Sequence, residues 1–265
     1  MSDEFRIAYL RPGQIIQRLN ERSVVFVPIG PLEWHGPHMP YGTDPLNAQN
    51  TAEEVCRRVG GVVWPTQFWG TERERRPDQL QSLGFATDRY IVGMDFPANS
   101  IPSCYCAEEI LALMVRDTVR QAARLGAKLI VLINGHGAEN HMAALKRLAV
   151  ELTNTGPARV VFRMACVMGG GPMGSGGHAD AVETALMMHL TESVDISQLP
   201  PAGTELRYID HAVVDGGGFD GKSPSHTLAA EYDPRQRSTP ELGQQSFLAA
   251  CEQIAGEVKE MLATK

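Results

Sequence analysis

Carboxylates and imidazoles gather in three short stretches of the 265-residue chain. The first is Pro31-Leu-Glu33-Trp-His35-Gly-Pro-His38-Met-Pro-Tyr-Gly-Thr43-Asp44. In extended backbone, side chains two residues apart point the same way, so Glu33 and His35 face one space. With the carboxylate of Asp44 they make a ligand set for zinc, manganese or iron. The competing reading is a polar loop in which Asp44 caps a helix starting at Pro45, and one carboxylate cannot serve both roles fully. The second stretch, Asn134-Gly-His136-Gly-Ala-Glu139-Asn140, sets an imidazole between glycines, where backbone can approach a ligand closely. An incidental histidine in a glycine turn is the alternative. Glu139 is a ligand, a catalytic carboxylate, or a first-turn residue complementing the helix dipole. The third stretch is His178-Ala-Asp-Ala-Val-Glu183-Thr184. It puts His178 in a loop and Glu183 on a helix that is otherwise apolar (Val182, Leu186, Met187, Leu190). A carboxylate there needs a partner, a metal or an arginine, because an unpaired buried charge is costly.

The elements around these stretches alternate between two periods. The β-branched run 23–29 reads as a strand buried on both faces, and it feeds the first loop, 30–44. A helix over 45–59 follows, with proline at its first position. Residues 61–65 form a short strand, and 71–95 are an irregular surface excursion. Apolar residues at helical spacing run over 107–125 and stop at Gly126. A strand over 128–133 feeds the second loop and a helix over 139–152. A strand over 159–164 leads to the glycine-dense segment 169–177 and a helix over 179–190. Further helices cover 13–22 and 240–262. Strands alternating with amphipathic helices imply one α/β domain over 1–265, with a mainly parallel sheet between helical layers. Ligands of such sheets bind outside the carboxyl ends of the strands, so the three loops converge on one edge.

Composition removes several other classes. With 43% hydrophobic and 21% charged residues the chain is a folded globular protein. A net charge of -7 gives no support for nucleic acid or an anionic membrane as partner. The longest apolar runs, 24–27 and 129–133, are strand-length and far too short to span a bilayer. The charged N-terminus has no apolar h-region behind it, so no secretory signal is expected. Five cysteines without framework spacing suit a reducing cytoplasm. Cys104 and Cys106 read as core or loop residues and His189 as structural. The 169–177 run lacks the Lys-Ser/Thr ending of a phosphate loop and reads as a flexible border of the site. Its backbone N–H groups are candidates for stabilising an oxyanion. Trp34 and Trp69 are candidates for the apolar wall of a pocket. No Gly-x-Ser-x-Gly elbow is present to support a serine hydrolase.

The three stretches, in this order, resemble the creatinine amidohydrolase (creatininase) family. The family's G-x-L-E-Q-H-G-P-H-L-P-x-G-T-D motif is matched from Gly30 to Asp44. Its N-G-H-G-G-N type motif is matched from Asn134 to Asn140 with one residue extra. Its H-A-G-E-x-E-T motif is matched from His178 to Thr184. A weaker echo is Asp233-Pro-Arg235 with Pro240-Glu241-Leu-Gly243. The resemblance implies a creatininase-like α/β/α sandwich in a homohexamer. It implies one or two divalent metals per chain, Zn2+ foremost and Mn2+ or Fe2+ possible in its place. Glu33, His35, Asp44, His136 and Glu183 look like the ligands, with Asp44 as bridge. His178 looks like the acid/base, with Glu139 a second catalytic candidate. The implied reaction is hydrolysis of a C–N amide bond other than an ordinary peptide bond (EC 3.5 type), in a cyclic amide, lactam or small linear amide. Deformylation, cleavage of a peptide-derived amide, and a non-catalytic binding protein on the same fold are the alternatives. Two departures bear on the substrate. Creatininase carries tryptophans where 169–177 has small residues, and its second-motif glutamate comes one residue earlier than Glu139. The metal chemistry is therefore expected to be kept and the substrate changed.

Overall fold

The computed structural model describes residues 4–97, 99–166, 177–209, 212–213 and 230–263. The expectations for the glycine run, apart from Gly177, lie outside the described residues.

Four parallel strands make the central sheet: β1 Val24–Ile29, β2 Val62–Val63, β3 Leu129–Asn134 and β4 Arg159–Met164, in the order β2-β1-β3-β4. Strands β1 and β3 are buried at every position, and alternate residues pack into different cores. Val24 and Phe26 join Leu129, Val131 and Ile133 against helices α2 Thr43–Val59, α6 Ala181–Leu190 and α8 Pro240–Ala263. Val25, Val27 and Ile29 join Ile130 and Leu132 against α1 Pro12–Glu21, α4 Glu108–Arg124 and α5 Glu139–Thr155. This is the three-layer sandwich that two-sided apolar strands require, each fully buried Val or Ile contributing about 1.5–3 kcal/mol. Between α6 and α8 the approach is so close that a Cβ on Gly243 would lie 1.9 Å from the carbonyl oxygen of Ala185.

The topology selects one place for a site. The crossover from β1 through α2 runs to β2 on one side of β1, whereas β3 lies on the other. The strand order reverses between β1 and β3, and a crevice opens outside the carboxyl ends of strands at such a point. Ile29, Asn134 and Met164 are register partners, so three loops leave the sheet at one level.

The segment 71–95 departs from its expectation as an irregular excursion. It contains α3 Pro77–Ser82, started by Pro77 and by Gln79, whose side chain accepts from the Arg76 N–H. Leu80, Leu83, Ile91, Met94 and Phe96 then build a third small core with Trp34 and Ala212. The described residues also form a two-stranded ribbon, β5 Tyr208–Ile209 with β6 Ala212–Val213, and the short α7 Pro234–Arg237.

Candidate metal centre

Helix α2 begins two residues earlier than the proline rule suggests, at Thr43, so Asp44 lies inside its first turn. No side chain caps this helix. That settles the competition over Asp44, whose carboxylate is left free to face the crevice. Two glycines make room for it. A Cβ on Gly135 would fall 2.0 Å from the Asp44 carbonyl oxygen, and one on Gly30 would fall 2.9 Å from the Asp44 Cβ. The ends of β1 and β3 thus grip the start of α2.

The two oxygens of Asp44 face different imidazoles. Oδ1 lies 3.3 Å from His35 Nε2, and Oδ2 lies 2.9 Å from His136 Nδ1. Glu33 Oε2 stands 3.2 Å from the same His136 nitrogen. Glu183 Oε2 stands 3.8 Å from His35 Nε2. The donor atoms form overlapping groups: Glu33 with Asp44 and His136, His35 with Asp44 and Glu183, and Glu33 with His35 and His178. Asp44 belongs to the first two. All five expected ligand positions and His178 therefore come together.

The surrounding hydrogen bonds aim lone pairs inward. His35 Nδ1 lies 3.1 Å from the Glu33 carbonyl oxygen. That oxygen can only accept, so Nδ1 carries a hydrogen in either charge state, and Nε2 presents its lone pair once its own proton is displaced. His35 Nε2 and Asp44 Oδ2 are buried, and apart from their ion-pair contacts with Asp44 Oδ1 and His136 Nδ1 neither has a hydrogen-bond partner. Buried polar atoms are rarely left so, and these two face the centre of the donor set, where a cation would satisfy both. His178 Nε2 is 2.7 Å from the Trp34 carbonyl, which fixes the hydrogen there and leaves Nδ1 open, 3.9 Å from Glu33 Oε2.

Burial and mutual charge shift every group in the cluster. Burial alone would lower His35, but Asp44, Glu183 and Glu33 outweigh it and raise it to about 10. His136 is likewise held well above its ordinary value by Glu33 and Asp44 against the opposing effect of burial. Asp44 and Glu33 stay below the usual carboxylate range, because the imidazoles overcome the upward push of burial. Burial dominates at Glu183 and pushes it up to about 8. Burial, helped by His35, brings His178 down to about 4.

A cation entering at pH 7 must displace the protons held on His35, His136 and Glu183. Because the folded values of these groups lie above the ordinary ones, the protons are bound at neutral pH; as pH rises, Glu183 gives up its proton near about 8 and His35 near about 10. Titration of the metal-free chain with Zn2+ in weak buffer is expected to release at least one proton per chain. Apparent affinity is expected to rise with pH across that window. Affinity independent of pH between 6 and 9 would contradict this charge state.

Of three supporting residues, Tyr105 and His141 carried no signal in the sequence, and Asn134 entered only as the first residue of the second stretch. Tyr105 donates its hydroxyl hydrogen to Glu33 Oε1, leaving Oε2 to the centre. It reaches Glu33 because Cys104 pairs antiparallel with Leu32. Asn134 clamps its neighbour, its Oδ1 accepting from the His136 N–H and its Nδ2 donating to the His136 carbonyl. His141 closes the set: its Nδ1 accepts from the Thr71 N–H, so its Nε2–H donates to Asn134 Oδ1 at 3.0 Å.

Other expectations fall elsewhere. Glu139 is exposed at the first position of α5 and belongs to none of the donor groups, which leaves it beside the positive end of the helix. Its position one residue later in the turn explains this, since the chain has by then entered the helix. Trp34 packs into the third core. Trp69 lines a small apolar cavity with Val27, Leu111, Met114 and Leu132, on the sheet face of α4. Glu183 takes its hydrogen bond from the Ala179 N–H instead of from an arginine. His189 packs its ring on Phe247 in α8.

Comparison with known proteins finds relatives in sequence and in fold. The family model for creatininase, described as creatinine amidohydrolase, matches residues 8–258. A creatinine amidohydrolase of Pseudomonas putida is 31% identical over 129 residues, 49% of this chain and 43% of that protein. A mycofactocin precursor peptide peptidase of Mycobacterium ulcerans (strain Agy99) is 27% identical over 181 residues, 68% of this chain and 63% of that protein. The matches thus span less than two thirds of these relatives' own lengths. A solved creatininase with Mn superposes with a TM-score of 0.67 at 21% identity, covering 98% of this chain and 99% of its own, which shows a shared fold.

Proposed function

The chain belongs to the creatininase family, and from that premise we propose that it hydrolyses a C–N amide bond in a small molecule, using two divalent metal ions. The observation that carries this function is Asp44. Each of its oxygens faces a different imidazole, and Glu33 and Glu183 complete the two groups.

Glu33, Asp44 and His136 would hold one ion, and His35, Asp44 and Glu183 the other. Imidazole and carboxylate donors suit Zn2+ or Mn2+, and the structural relative named above holds Mn. Bound divalent metal lowers the pKa of a water towards neutral and polarises the scissile carbonyl. His178 supplies proton transfer. Its Nε2–H is anchored on the Trp34 carbonyl, as an orienting group holds a catalytic imidazole, and its Nδ1 faces the cluster. Held down at about 4, it is neutral at pH 7 and takes a proton at Nδ1 only transiently. The protonated ring is then a strong acid towards the leaving nitrogen, a group that must be protonated to depart.

Two substrate classes fit. Cyclic amides and lactams follow from the family's amidohydrolase chemistry. Peptide-derived amides are favoured by the mycofactocin peptidase relative. A non-catalytic scaffold would have no need for the full donor set. The proposal takes residues 1–265 as one hydrolase domain, assembled as a cytoplasmic homohexamer. Five free thiols fit a reducing compartment. Among the described residues no helix is long and apolar enough to cross a membrane. Metal-loaded protein assayed against lactams, cyclic amides, formamides and short peptides should release amine from one class, and a chelator should stop it. Two bound ions with no C–N hydrolysis of any class would contradict the proposal.

A further inference from the structure

The turn that carries both His178 and Glu183 is held by one buried side chain with no place in the donor set. Asp180 is 1% exposed. Its Oδ1 accepts the N–H groups of Val182 and Glu183 at 2.8 and 3.2 Å, which caps α6. Its Oδ2 reaches back across His178 and accepts the Gly177 N–H at 2.7 Å. An N-cap needs only the first pair of contacts. The contact with Gly177 closes a ring of backbone around His178 and Ala179.

That ring holds an uncommon conformation. Ala179, fully buried, has φ of 53°, in the left-handed region that L-residues other than glycine seldom adopt. The consequence is local and specific. Turned this way, the Ala179 N–H donates to Glu183 Oε2 at 2.7 Å, the same oxygen that faces His35 Nε2. On the other side, the His178 carbonyl accepts from the Val213 N–H at 3.0 Å. A strained backbone persists only where surrounding contacts over-determine it, and such residues gather at functional sites.

We propose that Asp180 is a positioning residue, which locks the 177–183 turn so that Glu183 and His178 present their donor atoms to the metal centre together. It acts on the second ion, the one Glu183 would hold with His35 and Asp44, and it leaves the Glu33–Asp44–His136 group untouched. This inference rests on the two-metal reading above.

The test separates positioning from capping. Asp180→Asn keeps an Oδ1 acceptor for Val182 and Glu183 but replaces the Gly177 acceptor with an amide donor. Asp180→Ala removes both. The wild-type protein and each variant are titrated with Co2+, followed by visible absorption and calorimetry, with thermal unfolding measured in parallel. For Asp180→Asn the expected result is a melting temperature close to wild type, one ion bound as before, and the second bound about 10–100-fold more weakly, as outer partners of ligands usually cost. Its Co2+ spectrum should lose the second component. Asp180→Ala should lose the second ion outright. Two ions bound with unchanged affinity and spectrum in both variants would overturn the proposal while leaving the two-metal reading intact. So would weakening of both ions in proportion to lost thermal stability, which marks a cap alone. A wild-type protein that binds no Co2+ would remove the metal reading itself and this inference with it.

Discussion

Asp44→Ala is expected to abolish binding at both metal positions, so that a chain loaded with two ions retains neither after dialysis. The magnitude follows from its place in both donor groups. Loss of a partner that merely supports a ligand costs about 10–100-fold in affinity, and removal of a shared ligand must exceed that at each position. The fold should tolerate the change. Asp44 is among the leading groups that keep His35 and His136 charged, and without it burial favours their neutral forms, so no pair of buried imidazolium ions is stranded. Atomic spectroscopy on dialysed protein, with circular dichroism as a folding control, reads both effects. A full metal complement in the folded variant would refute the bridging role.

His178→Ala should do the opposite, keeping both ions while turnover collapses. A positioned acid–base group contributes about 10²–10⁴ in rate, and amide cleavage needs it most at departure of the nitrogen. The structure supports the separation. His178 Nδ1 lies 3.9 Å from Glu33 Oε2, farther than His136 Nδ1 at 3.2 Å, and its Nε2 is engaged by a backbone carbonyl. Comparing metal content with amine release in the variant checks the point. Loss of metal together with activity would mean that His178 is a ligand, as its grouping with Glu33 and His35 also allows.

The convergence of the three loops was legible in the sequence because it depends on strand order and period alone. Two-sided apolar runs forced a parallel sheet, and its strand ends fall in register at Ile29, Asn134 and Met164. Glu33, His35, His136 and Glu183 could be singled out because each stands against local pattern, a charged or imidazole group beside glycine or on an apolar face. Asp44 could not be decided that way. Capping and facing the crevice differ by a two-residue shift in the start of α2, which proline chemistry alone does not fix. Tyr105 was hidden because it reaches Glu33 through a bridge between segments some seventy residues apart. His141, and the clamping role of Asn134 within its motif, were hidden for a related reason. Their hydrogen bonds join a strand end to the next helix, and no composition or periodicity reports such a pairing. The small core around Leu80 and Phe96 escaped because its residues are scattered through a charged stretch without period. Glu139 was left open between three roles, and it stands exposed in the first turn of α5, outside the donor groups.

The most direct test of the central claim is the metal content of the purified chain after loading with Zn2+ or Mn2+, measured by plasma mass spectrometry beside Glu33→Gln. The geometry predicts two ions per chain in the wild type and a loss of at least one in the variant, whose amide can no longer serve the His136 group as a carboxylate. No metal in the wild type after loading would contradict the account.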